Sequence, residues 1–221
     1  MLKFSQKAIL LGISLFLACT KTSVSTDATA TPLEKLLNGN KRYAEQHPIH
    51  PDQTLERLRA LKKGQEPFAV VVSCSDSRVP PELIFDQGLG DLFVIRTAGN
   101  VIGDYELGSI EYAVEHLKTS LVIVLGHENC GAVSAFIEHK HDTLSNHIQA
   151  IVNYLKAEKE EMILDENRPD YLTAAVRANV IHGVNLLTSA APVLKELVEK
   201  KEIQIVGAVY DLDDGQITLI K

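Results

Sequence analysis

The sequence contains no tryptophan, only three cysteines, and fewer basic residues (22) than acidic ones (29). Without tryptophan, no site in this chain can use an indole N–H as a hydrogen-bond donor. Three cysteines are too few for the disulfide framework that holds small secreted scaffolds together. The formal net charge of −7 argues against nucleic acid as a partner, because such proteins need an excess of Lys and Arg to neutralise phosphates.

The composition is that of an ordinary globular domain. The chain has 221 residues, of which 45% are hydrophobic and 23% are charged, so it is long enough for one domain with a large core. We predict that residues 32–221 form this domain.

The segment before the domain is predicted to direct export. Residues 1–18 combine a positive start at Lys3 and Lys7 with an apolar run that is too short to span a bilayer, which needs about 20 residues. Cys19 follows Phe16-Leu17-Ala18, which resembles the cleavage site of bacterial lipoproteins. We therefore expect a periplasmic or lipid-anchored protein of the cell envelope, with residues 19–31 as a polar tether. The alternative is ordinary cleavage, with Cys19 discarded or left unmodified.

Strand-like and helical patterns alternate along the domain. Continuous apolar runs over Phe68–Cys74, Leu92–Arg96 and Leu121–Leu125 are typical of strands buried on both faces. A fourth strand, Ile203–Tyr210, is predicted to turn back into Gln216–Ile220. Such a series predicts an α/β fold with a mostly parallel sheet in the order 2-1-3-4, an antiparallel C-terminal strand and helices on both faces.

The remaining segments have helical patterns. The predicted helices are Pro32–Tyr43, Gln53–Lys63, Pro81–Phe85, Asp104–Leu117, Cys130–His139, Leu144–Met162, Arg168–Ser189 and Val193–Lys200. The first two are short and amphipathic, so they need another surface on which to bury their apolar faces.

This topology brings distant residues together. Cys74 ends the first strand and His127 ends the third, so both lie at the carboxyl edge of the sheet, where ligands bind in doubly wound folds. Cys130 is expected in the first turn of the following helix, where the positive end of the helix dipole favours a thiolate.

Two thiols and one imidazole form a strong set of ligands for zinc. Zinc takes Cys sulfur and His nitrogen in a tetrahedral shell, and a catalytic site keeps the fourth position open for water. The sequence therefore predicts a zinc site at Cys74, His127 and Cys130. A plain disulfide between the two cysteines is the alternative, but it gives no reason for the positions of His127, Asp76 and Arg78.

The pattern Cys74-x-Asp76-x-Arg78 followed by His127-x-x-Cys130 resembles the beta class of carbonic anhydrases, and the resemblance covers roughly residues 33–221. Further matching segments are Pro80-Pro81-Glu82, Asp91-Leu92-Phe93-Val94-Ile95-Arg96, Ala98-Gly99-Asn100, Glu111-Tyr112-Ala113-Val114, Gly126-His127 and Cys130-Gly131-Ala132. The resemblance implies one zinc ion per chain and reversible hydration of carbon dioxide to bicarbonate and a proton.

The resemblance also implies roles for individual residues. Asp76 accepts a hydrogen bond from zinc-bound hydroxide, and Arg78 holds Asp76 ionised and in place. In some members of the family the residue at Asp76 becomes a fourth zinc ligand at rest. The alternative reading of Asp76 and Arg78 is a surface ion pair or a helix cap. The implied substrate pocket consists of Gln65, Phe93, Ala98, Tyr112 and the backbone amide of Gly131.

The same resemblance implies a homodimer or a multiple of dimers, with the N-terminal helices packed across the dimer. Carbon dioxide and bicarbonate are the expected small-molecule partners, and a lipid on Cys19 is the only membrane contact expected. The sequence is also compatible with two other functions. Some relatives hydrolyse carbon disulfide or carbonyl sulfide on the same scaffold, and a non-catalytic zinc-binding protein is the third reading.

Overall fold

The computed structural model describes residues 29–220, so Cys19 and the predicted signal segment lie outside it. The strands are β1 Ala69–Cys74, β2 Leu92–Thr97, β3 Leu121–His127, β4 Gln204–Tyr210 and β5 Ile217–Ile220. They form one sheet in the order β2-β1-β3-β4-β5, in which β4 and β5 pair antiparallel and the other neighbours pair parallel. The predicted strand order, with its antiparallel final strand, is confirmed.

The central strands β1 and β3 are buried along their whole length. Their parallel register pairs Val70 with Val122, Val71 with Ile123 and Val72 with Val124. β-branched side chains fit the pleated surface, and a sheet covered on both faces needs no polar alternation. By contrast, β2 lies at the sheet edge and is only half-buried. The two strands that carry Cys74 and His127 are therefore the most enclosed neighbours in the sheet.

Helices cover both faces of the sheet, as predicted. They are α1 Pro32–Ala44, α2 Leu55–Ala60, α3 Pro81–Ile84, α4 Asp104–His116, α5 Gly131–His139, α6 Ile148–Lys156, α7 Lys159–Met162, α8 Tyr171–Ser189 and α9 Val193–Glu199. One core packs α3, α5 and α6 against the sheet, the other packs α4 and α9, and α8 contributes to both. Within residues 29–220 none of these helices is long and apolar enough to cross a membrane.

Helix α1 packs against its own chain. Thr31 and Glu34 cap its start, and Leu36 is fully buried. The amide of Asn40 donates to the carbonyl oxygens of Ile84 (3.1 Å) and Gly215 (2.8 Å), which ties the helix to α3 and to the turn before β5. Helix α2, in contrast, buries none of its residues against the rest of the described chain. Packing of these helices across a dimer stays a prediction.

Several predicted helix boundaries are wrong. The predicted helix Leu144–Met162 is two helices, α6 and α7, because Glu158 between them has extended backbone (φ −70°, ψ 124°) and turns its side chain into the interior. Helix α8 begins at Tyr171 and not at Arg168, since Pro169 disfavours helical backbone at the residue before it. The predicted helix Gln53–Lys63 is α2 followed by a 3₁₀ turn.

Cys130 is also displaced from its predicted position. It is the N-cap of α5, with φ −68° and ψ 118°, and is not a residue of the first turn. Extended backbone at this point lets the chain come directly from β3 and brings the sulfur toward Cys74 before the helix begins.

Candidate metal centre

The predicted zinc ligands meet at the carboxyl edge of the sheet. Cys74 is the last residue of β1, His127 is the last residue of β3, and Cys130 immediately precedes α5. Their exposed fractions are 5%, 1% and 1%, and one donor atom from each lies within 4.8 Å of the others. Parallel strands that end side by side therefore assemble, in a buried position, three donors that are distant in sequence.

The geometry of these donors fits a tetrahedral metal ion better than a disulfide. The two sulfurs are 4.0 Å apart and both cysteines are free. A disulfide needs about 2.05 Å between its sulfurs. Two thiolates that each lie about 2.3 Å from a tetrahedral zinc are about 3.8 Å apart. The spacing of Cys74 and Cys130 is thus already close to that of a shared metal ion.

The imidazole of His127 is oriented for the same task. Its Nδ1 lies 2.8 Å from the carbonyl oxygen of Glu128, so Nδ1 carries the proton and donates it there. Nε2 is buried and has no hydrogen-bond partner among the described residues. A backbone carbonyl that fixes the tautomer of a ligating histidine is the usual outer contact of a zinc site. The free lone pair of Nε2 therefore faces the thiols.

The surroundings favour a thiolate at Cys74. The pKa of this thiol is lowered to about 4, first by the S–H of Cys130 and then by His127, while burial opposes the change. The backbone N–H groups of Gly99 (3.3 Å) and Asp76 (3.4 Å) also donate to its sulfur. The pKa of Cys130 is raised because its proton is shared with Cys74 and because it is buried. Metal binding would replace this shared proton.

Asp76 lies beside the three donors and is held by Arg78. Its Oδ1 accepts from the backbone N–H and from Nε of Arg78, both at 2.9 Å, and its Oδ2 accepts from Nη2 at 2.7 Å. These bonds hold the pKa of Asp76 well below its usual range. Oδ2 is 3.9 Å from Nε2 of His127, and Asp76 is not one of the three grouped donors. A permanently ionised acceptor therefore faces the metal position.

The predicted pocket residues fall into two groups. Ala98 opens the 3₁₀ turn Ala98–Asn100, which lies against β1 and α5, and Gly131 directly follows Cys130. Phe93 and Tyr112 form a pair of their own, with ring centroids 6.3 Å apart, near the amino end of β2. Gln65 is exposed before β1, at the end opposite Cys74. One chain thus brings Ala98 and Gly131 to the site but not the other three.

Two residues that hold the site in place were not among the predicted site residues. Arg96 donates through Nε to the carbonyl oxygen of Cys74 (2.9 Å) and through Nη2 to that of Asp76 (2.6 Å). Asn179 of α8 donates to the carbonyl oxygen of Gly99 (2.8 Å). The available signal was a polar residue inside an apolar pattern: Arg96 interrupts an apolar strand, and Asn179 lies between buried apolar residues of a helix.

A second group of carboxylates does not resemble the first site. Oxygens of Glu128, Asp211 and Asp213 lie within 4.8 Å of one another, but all three residues are partly or fully exposed. Burial and the nearby charge of Asp211 raise the pKa of Glu128. Asp211 accepts from the backbone N–H of Asp213 (2.7 Å) in the turn before β5, which accounts for its position.

Comparisons with known proteins identify the family of this chain. A family model of carbonic anhydrases matches residues 69–217. Carbonic anhydrase 2 of Mycobacterium tuberculosis is 40% identical over 189 residues, which cover 83% of this chain and 89% of that protein.

Solved structures of beta-carbonic anhydrases have the same fold. The beta-carbonic anhydrase CcaA superposes with a TM-score of 0.65 at 25% identity, over 86% of this chain and 95% of that one. The beta-carbonic anhydrase CafA of Aspergillus fumigatus gives a TM-score of 0.64 at 29% identity, over 84% of this chain and 88% of that one. This chain therefore belongs to the carbonic anhydrase family, in its beta class.

Proposed function

We propose that this protein is a zinc enzyme that catalyses the reversible hydration of carbon dioxide to bicarbonate and a proton. The observation that carries the proposal is the buried group of Cys74, His127 and Cys130, whose free Nε2 and closely spaced sulfurs converge on one point. Membership of the carbonic anhydrase family supports the same reaction.

The three donors would hold one zinc ion and leave a fourth position open. When bound, zinc lowers the pKa of a coordinated water toward about 7 and so supplies a nucleophile at neutral pH. The protein contributes a buried position with fixed donors. Glu128 fixes the tautomer of His127, and Gly99 and Asp76 donate backbone N–H groups to the sulfur of Cys74.

Asp76 acts as a hydrogen-bond acceptor at the open position. Because Arg78 binds both of its oxygens, Asp76 stays ionised and keeps one orientation. It accepts the O–H of the nucleophile and thereby turns the oxygen lone pair toward carbon dioxide. The contacts with Arg78 favour this role over that of a fourth metal ligand at rest.

The substrate slot requires a second copy of the chain. Carbon dioxide is small and apolar, so it fits an apolar slot with one or two donors. Ala98 and the amide of Gly131 supply one wall, while Gln65, Phe93 and Tyr112 lie at the other end of their own chain. A dimer that brings those three residues of one copy to the metal centre of the other would complete the pocket.

The edge strand β2 is a suitable surface for this dimer. It is half-buried, lies at one edge of the sheet and offers unpaired backbone groups to a second strand. Tyr112 is 47% exposed although it is aromatic. Light scattering should therefore give a mass of twice the chain or a multiple of that. A fully active monomer would contradict the shared pocket.

The reaction is tested by stopped-flow hydration of carbon dioxide with the purified protein, before and after removal of zinc by a chelator. We expect activity that disappears with the metal and returns when zinc is restored. Parallel assays with carbon disulfide and carbonyl sulfide test the related hydrolase reaction. A zinc-containing protein inactive toward all three substrates would support a non-catalytic role and refute the proposal.

We also propose that residues 1–18 direct export and that Cys19 carries a lipid, with residues 19–31 as the tether. The support is the sequence pattern alone, because Cys19 lies outside the described residues. Cys19→Ser should move the protein from the membrane fraction to the soluble envelope fraction. Mass spectrometry that finds a mature N-terminus beyond Cys19 would refute this.

A further inference from the structure

Gly99 is enclosed by Cys74 and by Ala132 of α5 at the metal centre. Its N–H donates to the sulfur of Cys74 at 3.3 Å. A Cβ on Gly99 would lie 2.9 Å from the Cβ of Ala132 in α5, and its φ of +71° is strained for residues with a side chain. Glycine alone fits here, but glycine also has the widest conformational freedom. The direction of its N–H therefore depends on what holds the rest of the residue.

The carbonyl group of Gly99 is held by Asn179. This side chain is 2% exposed, and its Nδ2 donates to the carbonyl oxygen of Gly99 at 2.8 Å in the buried interior. With the carbonyl fixed on one side and Ala132 close on the other, the backbone of Gly99 cannot rotate freely. Its N–H is thereby kept on the sulfur of Cys74.

Helix α8 provides a fixed base for this contact. Val176 and Val180, three residues before and one residue after Asn179, lie against Gly126 of β3, where a Cβ would meet Val180 at 2.5 Å. Gly126 immediately precedes His127. Asn179 thus lies on a helix that packs closely on β3, the strand that ends at His127. Its side chain reaches Gly99, which contacts the second proposed ligand, Cys74.

An amide is otherwise unfavourable at this position. The neighbouring α8 residues Ala175, Val176, Ala178 and Val180 are buried and apolar. A buried polar group lowers stability unless it is hydrogen-bonded, and asparagine is a poorer helix former than alanine or leucine. An apolar residue at this position of α8 would therefore destabilise the folded protein less. The favourable effect of Asn179 lies in its hydrogen bond to Gly99.

We propose that Asn179 is a positioning residue that acts through Gly99 to orient the N–H···S bond at Cys74 and so to strengthen metal retention. The inference rests on the proposed zinc site and extends it to a residue that touches neither metal nor substrate. Hydrogen bonds to a ligating atom orient it and tune its donor strength, and loss of such outer contacts weakens metal affinity about 10- to 100-fold.

The test compares Asn179→Leu, a substitution of similar size without the donor, with Asn185→Leu as a control. Asn185 lies on the same helix and donates to Glu160 (2.7 Å), away from the metal centre. Zinc affinity is measured by competition with a chromophoric chelator, and the cobalt-substituted proteins are compared by their thiolate-to-cobalt absorption bands. We expect Asn179→Leu to weaken zinc binding about 10- to 100-fold and to shift the cobalt band, whereas Asn185→Leu changes neither.

The outcomes separate this inference from the proposed function. Wild-type protein that binds no zinc refutes the metal site itself. If wild type binds zinc but a less stable Asn179→Leu keeps the wild-type affinity and cobalt spectrum, Asn179 is merely structural and the inference is wrong. If Asn179→Leu does not fold, Asn179→Ala replaces it, because alanine fits a helix interior without a steric clash. Its zinc affinity and cobalt spectrum then test the inference in the same way.

Discussion

The metal centre and the turn between α6 and α7 both bury ionisable groups, but they hold them in opposite ways. At the metal centre Asp76 and Cys74 have donors directed at them: Arg78 binds Asp76, and two backbone N–H groups reach the sulfur of Cys74. The pKa values of both groups are lowered. The carboxyl of Asp76 and the thiol of Cys74 are therefore ionised at neutral pH.

At the α6–α7 turn the carboxyl group of Glu158 lacks such donors. Glu158 is 1% exposed, and its Oε1 has no hydrogen-bond partner among residues 29–220. Burial, together with the charges of Glu161 and Glu160, raises its pKa to about 9. Burial alone thus does not decide the charge of a group. The donors around the group decide its charge. The first region is therefore suited to binding a cation, whereas the second lowers the stability of the protein.

The largest expected effect is loss of the metal from Cys74→Ser. The hydroxyl is a far weaker zinc ligand than a thiolate, and metal binding contributes directly to folding free energy in such sites. We expect elemental analysis to show loss of most of the zinc, a lower melting temperature and no hydration activity. Cys19→Ser is the matched control and should keep its zinc. Undiminished zinc in Cys74→Ser would refute the ligand assignment.

The next effect separates chemistry from binding. Asp76→Asn should retain zinc, because Asp76 lies outside the three grouped donors. The amide has only one acceptor oxygen, whereas both oxygens of the carboxylate accept hydrogen bonds. We expect kcat to fall about 100- to 1000-fold, as when one orienting group of a catalytic site is removed. Asp104→Asn, an exposed substitution, is the control. Near-normal turnover in Asp76→Asn would refute the role of Asp76 as the hydrogen-bond acceptor of the nucleophile.

Glu158→Gln should stabilise the protein at alkaline pH. An unfolded glutamate titrates near 4.5, whereas folded Glu158 keeps its proton up to about 9. Between these values the unfolded chain loses a proton that the folded protein retains, so the free energy of unfolding falls as pH rises, by at most about 1.4 kcal/mol per pH unit.

The glutamine variant has no such proton to lose. We expect its free energy of unfolding at pH 8 to exceed that of wild type by on the order of 3 kcal/mol, and the two proteins to converge near pH 4. Urea unfolding at both pH values measures this, with the exposed Glu115→Gln as control. An equal difference at both pH values would show that the effect is packing and not ionisation.

The smallest effect is expected for Glu161→Gln. Burial also raises the pKa of Glu161, but Tyr171 donates to its Oε1 and the charge of Lys140 lowers the pKa. The loss of stability that its burial causes as pH rises should therefore be smaller than that caused by Glu158. The same urea series measures it. A gain larger than that of Glu158→Gln would reverse the order that we derive from the donors around the two carboxyl groups.

Much of the fold was predictable from local pattern. Continuous apolar runs identified β1, β2 and β3, and the alternation with helices predicted the strand order. The hydrophobic pattern predicted helix boundaries less well where a tertiary contact determines the backbone conformation. The predicted helix Leu144–Met162 breaks because Glu158 turns into the interior, and Cys130 precedes its helix because its sulfur is directed toward Cys74.

The sequence by itself determined the chemistry of the site: two thiols and an imidazole at strand ends, with Asp76 and Arg78 two and four residues beyond the first thiol. Only the tertiary structure decided what holds those groups. The contacts of Arg96 with the carbonyl oxygens of Cys74 and Asp76, and of Asn179 with Gly99, join segments whose proximity depends on the packing of the sheet and α8. Residue type and local spacing predict donors and ligands, but the direction of a hydrogen bond depends on three-dimensional packing.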